Sequence, residues 1–302
     1  MKKFDVVLLT DHRYVSPKKD DQYTKNVLKE DGLVEKALNN QGLTTTKKDW
    51  NDSNFDWEST QIALFRTTWD YFDQFPNFRI WLDKVKEKCS LINSYQQINW
   101  NLDKHYLNDL KNWGVTTPKS IFIKKNSKKN LIEICNENNW NEIVIKPTIS
   151  GAARHTYRLT IEKLNEFELK WQELIKHEDF IIQEFQENII KKGEVAVMLF
   201  GGEYTHSVLK KAKTGDFRVQ DDFGGSVYDY HPSKEMIELA KKSIKKLTPT
   251  PAYARVDIIW DNNNQLAVSE LELIEPELWF RFNEKAADLL ASKVKEFLKN
   301  LN

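Results

Sequence analysis

The sequence predicts an α/β region followed by an α+β region. Three observations carry this. Over roughly the first 100 residues, strand-like apolar runs alternate with helical segments. Through the middle, further strand-like runs flank helices. In the last third, such runs come in two hairpin-like pairs. A chain of 302 residues suits about two domains, each able to bury a core.

"FDVVLL" (4–9) reads as a strand. "LVEKALNNQG" (33–42) reads as a helix closing on Gly42. "QIALFRTTWDY" (61–71) is a strand running into a loop. "PNFRIWLDKVKEKC" (76–89) opens with Pro and carries apolar residues at helical spacing. "KSIFIKK" and "NEIVIKP" read as strands flanking a helix near 128–138. "ISGAARHTYRLT" is a small-residue loop entering another strand. A helix near 162–176 leads to the strand "DFIIQEF". "EVAVMLF" and "THSVLK" pair across a turn at Gly201-Gly202, and "ARVDIIW" pairs with "LAVSELEL" across "DNNNQ". Helices near 233–246 and 284–299 complete the chain.

Lys+Arg and Asp+Glu number 45 each, so the formal net charge is zero. That argues against a nucleic-acid partner, which needs clustered positive charge. Cys89 and Cys135 stand far apart in no metal-ligand spacing, which suits a reducing, cytoplasmic setting. "MKKFDVVLLT" is too short for a signal peptide, and no apolar run spans a membrane. The oligomeric state stays open, a homo-oligomer included.

The stretch "SELELIEPEL" (269–278) holds four glutamates. Side chains alternate along a strand, so Glu270 and Glu272 share one face, and Leu271 and Leu273 the other. The preceding strand puts Arg255 and Asp257 on one face. With the hairpin centred between Asn263 and Asn264, Asp257 lies opposite Glu270 and Arg255 opposite Glu272. Three convergent carboxylates suit a hard cation such as Mg2+. The same pattern describes a solvent-facing, salt-bridged hairpin.

Two lysines bear on that choice. Lys104 lies in "NLDKHYL" at the start of a helix. Lys146 lies in "EIVIKP", an otherwise apolar strand, where an anion would explain it. "PTISGAARHT" follows, with Ser150 and Gly151 among small residues that let backbone N–H groups approach phosphate oxygens. Neither a P-loop nor a G-x-G-x-x-G motif is present. Singly, each lysine reads as a surface residue. Together with the acidic hairpin they describe a nucleotide–metal site.

In order, "NLDK", "VIKP", "IIQEF", "KGE", "GDFRVQDDFGG", "ARVDII" and "ELELIEP" resemble the ATP-grasp superfamily over almost the whole chain. The resemblance is strongest to the prokaryotic glutathione-synthetase-type branch. "FRTTWDY", "INWNLDK" and "HSVLKKAKTGDFRVQ" resemble a group that includes the cyclo-ligase of D-cycloserine biosynthesis. The resemblance implies an N-terminal α/β substrate domain (1–112), a central lid (113–185) and a C-terminal α+β domain (186–302), with ATP between the last two. It implies that Lys104 and Lys146, with Ser150 and Gly151, meet the ATP phosphates. Gln183, Glu184 and Phe185 would form the adenine hinge, and Glu194 would hold the ribose hydroxyls. Asp257, Glu270 and Glu272 would hold magnesium, although the family more often has Asn at the third position. Arg255 and Arg218 would face the transferred phosphate. The implied activity is ATP- and Mg2+-dependent carboxylate–amine ligation through an acyl phosphate, releasing ADP and phosphate, with Mn2+ as a substitute metal. The implied partners are small-molecule carboxylate and amine substrates, an amino acid or derivative. A phosphotransferase of the same fold and a non-catalytic nucleotide-binding module are the rival readings.

Arg66, Trp69, Asp70 and Tyr71 follow the second strand, where open α/β sheets place ligands; substrate contact and domain packing both fit them. Gly224 and Gly225 of "DDFGGS" allow close backbone approach to substrate, or form a simple surface turn. The histidines at 12, 105, 155, 177, 206 and 231 form no H-E-x-x-H pattern and read as structural or surface residues, with His155 in the phosphate-covering loop.

Overall fold

The computed structural model describes residues 2–219 and 224–301. Three sheets organise it. The first is parallel, in the order β2-β1-β3-β4, from β1 (Phe4–Thr10), β2 (Thr45–Asp49), β3 (Thr60–Thr67) and β4 (Ser90–Ile92). Val6 to Leu9 and Ile62 to Phe65 are buried on both faces, as a helix-covered parallel sheet requires. Around this sheet run α1 (His12–Val15), α2 (Gln22–Asn40), α3 (Phe75–Val85) and α4 (Tyr95–Asn101), while α5 (Tyr106–Asn112) packs its buried residues into the core of the third sheet. The α2 helix starts well before residue 33, capped by the Asp21 carboxylate, which accepts from the Thr24 N–H. Its first half is polar because Glu30 and Asp31 are buried there as ion-pair partners rather than exposed. The polar edge strand β2 and the three-residue β4 had no clear apolar signal.

The second sheet is antiparallel, in the order β5-β8-β6-β7, from β5 (Ser120–Ile123), β6 (Glu142–Pro147), β7 (Tyr157–Thr160) and β8 (Phe180–Glu184). Helices α6 (Leu131–Asn138) and α7 (Leu164–Leu174) bury Trp140, Trp171 and Phe180 against it.

The third sheet has the order β11-β10-β9-β12-β13, all antiparallel. Its strands are β9 (Glu194–Phe200), β10 (Glu203–Lys211), β11 (Ser226–Asp229), β12 (Tyr253–Trp260) and β13 (Leu266–Glu272), preceded by the short α8 (Asn188–Lys192). The expected turn at Gly201-Gly202 is present, both residues at positive φ. On one face Val195, Val197, Val256 and Leu271 pack under α9 (Lys234–Ile244). The other face is divided. At one end Met198, Phe200 and Tyr253 join the core containing α10 (Lys285–Lys299). At the other end Glu194, Lys210, Arg255, Asp257, Glu270 and Glu272 line a cavity. Two-residue alternation thus separates an apolar face from a partly charged one.

The β12–β13 pairing sets Asp257 opposite Glu270 and Arg255 opposite Glu272, as expected. The route differs. Nearer the turn, Ile259 faces Ala267 and Ile258 faces Val268, so Ser269 is an extra residue in a bulge. An unbroken ladder from that turn would have set Asp257 against Ser269. Among the described residues, no helix is long and apolar enough to cross a membrane.

Candidate nucleotide and metal site

The charged end of the third sheet forms one wall of a cavity of about 780 Å3. The second sheet contributes Val144, Lys146, Gln183, Glu184 and Phe185, and the first contributes Trp69, Tyr71 and Phe72 from the loop after β3.

Most carboxylates here are paired with the protein's own cations. Lys210 Nζ lies 2.6 Å from Glu194 Oε1 and 2.9 Å from Asp257 Oδ2. Arg255 Nε donates to Asp257 Oδ1 at 3.0 Å, and its Nη2 also pairs with Glu272. Lys104, in the turn between α4 and α5, lies 3.2 Å from Glu270 Oε1 and donates to the Ser150 carbonyl at 2.8 Å. The bulge has its own use: Ser269 Oγ donates to Glu194 Oε2 at 2.8 Å. Lys146 meets no protein acceptor among the described residues, although it faces the same cavity.

The electrostatics follow from burial and pairing. Burial lowers the Lys146 pKa. Burial works against the charge on Lys210, but Asp257 and Glu194 outweigh it and raise its pKa. Burial also opposes ionisation of Glu270, yet Lys104, Lys146 and Arg255 hold its pKa low. Burial and then the charges of Glu270 and Asp257 push Glu272 up, against the pull of Arg255. Oxygens of Asp257, Glu270 and Glu272 lie within 4.8 Å of one another. This all-oxygen set fits a hard divalent cation.

At the proposed hinge the backbone is partly committed. The Phe185 N–H donates to the Glu142 carbonyl at 2.9 Å, and the Phe185 carbonyl accepts from Asn262 Nδ2 at 2.9 Å. Gln183 donates to Ser120 Oγ at 2.8 Å. The Phe185 ring carries the Arg158 guanidinium 3.8 Å from its centroid. The loop after β6 is strained, with Ala152, Ala153 and His155 at positive φ. In it, Gly151 packs so tightly that a Cβ would fall 2.5 Å from Phe72 Cε1.

Several expected residues lie elsewhere. Arg66 is 1% exposed, on the β3 face that carries Ile62 and Leu64, with Nε 3.6 Å from Asp31 Oδ1. Asp70 accepts from Trp50 Nε1 at 2.6 Å and from Gln74 Nε2 at 3.2 Å. Neither lines the cavity, and both side chains are engaged in packing around the first sheet, the second of the two roles the sequence left open. Trp69 and Tyr71, from the same loop, do line it. Gly224 and Gly225 are not on its wall either. Residues 220–223 of "GDFRVQDDFGGS" fall outside the described residues. Arg218 lines the cavity and is paired with Asp216 at 2.7 Å. Lys210 was missed by sequence reasoning. Its signal was a lysine at the inward position of "HSVLK", in step with His206 and Val208.

Three sheets in this arrangement, with lysines and acids meeting in one cavity, form an ATP-grasp fold. The resemblance seen in the sequence is borne out by known proteins. Residues 6–93 match the family model of the D-cycloserine synthetase DcsG N-terminal domain. The chain is 25% identical over 286 residues to the cycloserine biosynthesis protein DcsG of Streptomyces lavendulae, covering 85% of this chain and 90% of that one. It superposes on the crystal structure of D-cycloserine synthetase DcsG with a TM-score of 0.85, at 23% identity, covering 97% and 99% of the two chains. D-alanine–D-alanine ligase from Bacillus anthracis complexed with ATP gives a TM-score of 0.65 at 12% identity, covering 99% and 98%. The ATP-grasp ligase PsnB, solved with a precursor variant, Mg and ADP, gives 0.62 at 15% identity, covering 97% and 100%.

Proposed function

We propose that the protein is an ATP- and Mg2+-dependent carboxylate–amine ligase that acts on a small amino acid or derivative. One observation carries this reading. Lys104, Lys146, Lys210 and Arg255 converge with Asp257, Glu270 and Glu272 on a single cavity. The similarity to D-cycloserine synthetase and to other ATP-grasp ligases supports it. The division at residues 1–112, 113–185 and 186–302 belongs to the same proposal, as does Mn2+ as a substitute metal.

The chemistry needs a carboxylate made electrophilic. Phosphoryl transfer from ATP gives an acyl phosphate. An amine then displaces phosphate, forming the C–N bond and leaving ADP and phosphate. The chain's part is positioning and charge stabilisation. Lys146, which meets no protein acceptor among the described residues, and Lys104 hold phosphate oxygens. Ser150 and Gly151 bring backbone close to them. Gln183, Glu184 and Phe185 border the base, and Glu194 the ribose. Arg255 and Arg218 face the transferred phosphoryl group. Asp257, Glu270 and Glu272 would hold Mg2+, which when bound neutralises phosphate charge.

The test is turnover of ATP with paired carboxylates and amines, read by phosphate release and product mass. A ligase product with stoichiometric phosphate is expected. A stable phosphorylated product would instead establish a kinase, and no turnover across a broad panel would leave only nucleotide binding.

A further inference from the structure

The four glutamates of "SELELIEPEL" do not share one fate. Glu270 is paired with Lys104 and Glu272 with Arg255. Glu277 accepts from Arg281 Nη1 at 2.5 Å. Glu275 has no lysine or arginine nitrogen within 4.0 Å among the described residues, yet it lines the cavity. It is firmly placed all the same. Tyr71 lies close enough to its carboxylate for the two groups to affect each other's ionisation. Trp69 Nε1 donates to its backbone carbonyl at 2.8 Å. The rings of Trp69 and Tyr71 line the same cavity, whereas the Trp279 ring already carries Arg255 and Lys210 over its face. Glu272 and Glu270 add negative charge nearby, and the more distant Lys104 offsets part of it. A half-buried carboxylate without a cation is costly to ionise. A cation delivered by the ligand would remove that cost, and aromatic faces favour the same charge.

We propose that Glu275 is the docking site for a protonated amine of the substrate, with Trp69 and Tyr71 as its positioning residues. The substrate class is then a primary ammonium compound small enough to sit between these rings. This inference rests on the ligase reading, because the phosphate end of the cavity is assigned to ATP.

The probes are alaninamide, which is cationic, and N-acetylalanine, which has no ammonium group. Binding of each is measured by calorimetry to full-length protein saturated with Mg2+ and AMP-PNP. Alaninamide should bind and N-acetylalanine should not. Glu275→Gln should weaken alaninamide binding by about tenfold or more, as expected for losing a charged hydrogen bond. Its affinity for Mg2+–AMP-PNP should stay within about twofold of wild type. Trp69→Phe, which keeps the ring and removes the N–H, should weaken alaninamide binding to a lesser degree and serves if the Gln variant does not fold. Wild-type alaninamide affinity in both variants overturns the proposal. So does equal binding of the two probes, or no binding of alaninamide by the wild type. Failure of wild-type protein to bind AMP-PNP overturns the ATP reading itself, a separate outcome.

Discussion

Lys210 Nζ lies 2.9 Å from Asp257 Oδ2 and 2.6 Å from Glu194 Oε1, so one buried ammonium joins the proposed ribose glutamate to the proposed metal site. All three side chains are almost wholly removed from solvent. Each would be costly to keep charged alone, and together they are neutralised in part.

Removing that ammonium should therefore be felt in stability first. Lys210→Met leaves Glu194 with Ser269 and Asp257 with Arg255, and one more negative charge without its partner on the cavity wall. The expected loss is about 3–5 kcal/mol, the range for breaking a buried pair from one side. Urea unfolding measures it, and millimolar Mg2+ should recover part of the loss by replacing the missing charge. A variant as stable as wild type without Mg2+ would show that the pairing carries no weight.

The same pairing couples metal to nucleotide. Asp257, Glu270 and Glu272 are engaged by Lys210, Lys104 and Arg255 before any ion arrives. On the ligase reading proposed above, phosphate oxygens would compete for those lysines and free the carboxylates. Mn2+ should bind weakly to the protein alone and at least about tenfold more tightly with ADP present, within the usual range of coupling energies. Paramagnetic resonance of free Mn2+ reads this directly. Equal affinity with and without ADP would refute the exchange.

Lys146 gives a pH signature. Burial lowers its folded pKa below the ordinary 10.5, so it loses its proton at a lower pH than a surface lysine. Nucleotide phosphates need the charged form. ADP affinity should fall as pH rises through that lowered value, and Lys146→Ala should be weaker by about 1–3 kcal/mol below it, with the difference shrinking above it because the variant lacks the titrating group. Titration calorimetry across alkaline pH checks it. An unchanged affinity in the variant would remove Lys146 from the site.

Much of this site was legible in the chain. Alternation alone set Glu270 and Glu272 on one face, and a lysine among apolar residues marked Lys146. The bulge at Ser269 was not legible, because a one-residue slip depends on the ladder and not on residue type. Nor was the fate of Arg66 and Asp70. "FRTTWDY" places four candidate side chains together, but strand parity and the turn after β3 send Arg66 inward to Asp31 and Asp70 to Trp50. The first half of α2 was hidden because its buried positions include Glu30 and Asp31, which periodicity counts as exposed.

The contact of Gly151 with Phe72 joins the loop after β6, proposed to meet phosphate, to the loop after β3 on the other wall of the cavity. Gly151→Ala places a Cβ where Phe72 Cε1 stands, so loop or ring must move. ADP affinity should fall about threefold to tenfold, as for a mild overpacking cost. Phe72→Ala in the same chain should restore much of it. A double-variant cycle that is simply additive would mean the two residues do not communicate.

Glu275 supplies the last prediction, which needs no substrate. Burial, then the charge of Glu272, pushes its pKa up to about 8 from an ordinary 4.5. Between those values the folded protein holds a proton that the unfolded chain has released. Stability contributed by this group is therefore full below the unfolded value and is lost as pH rises through the folded one. Glu275→Gln mimics the protonated form at every pH. Near pH 5 the variant and wild type should melt within about a degree of each other, and near pH 9 the variant should melt at least roughly 2 °C higher. Thermal melts at closely spaced pH values, in the absence of nucleotide and metal, decide it. A variant that is less stable than wild type at pH 9 would mean that Glu275 is already ionised and satisfied in the folded protein. The carboxylate would then have a stabilising partner in the cavity.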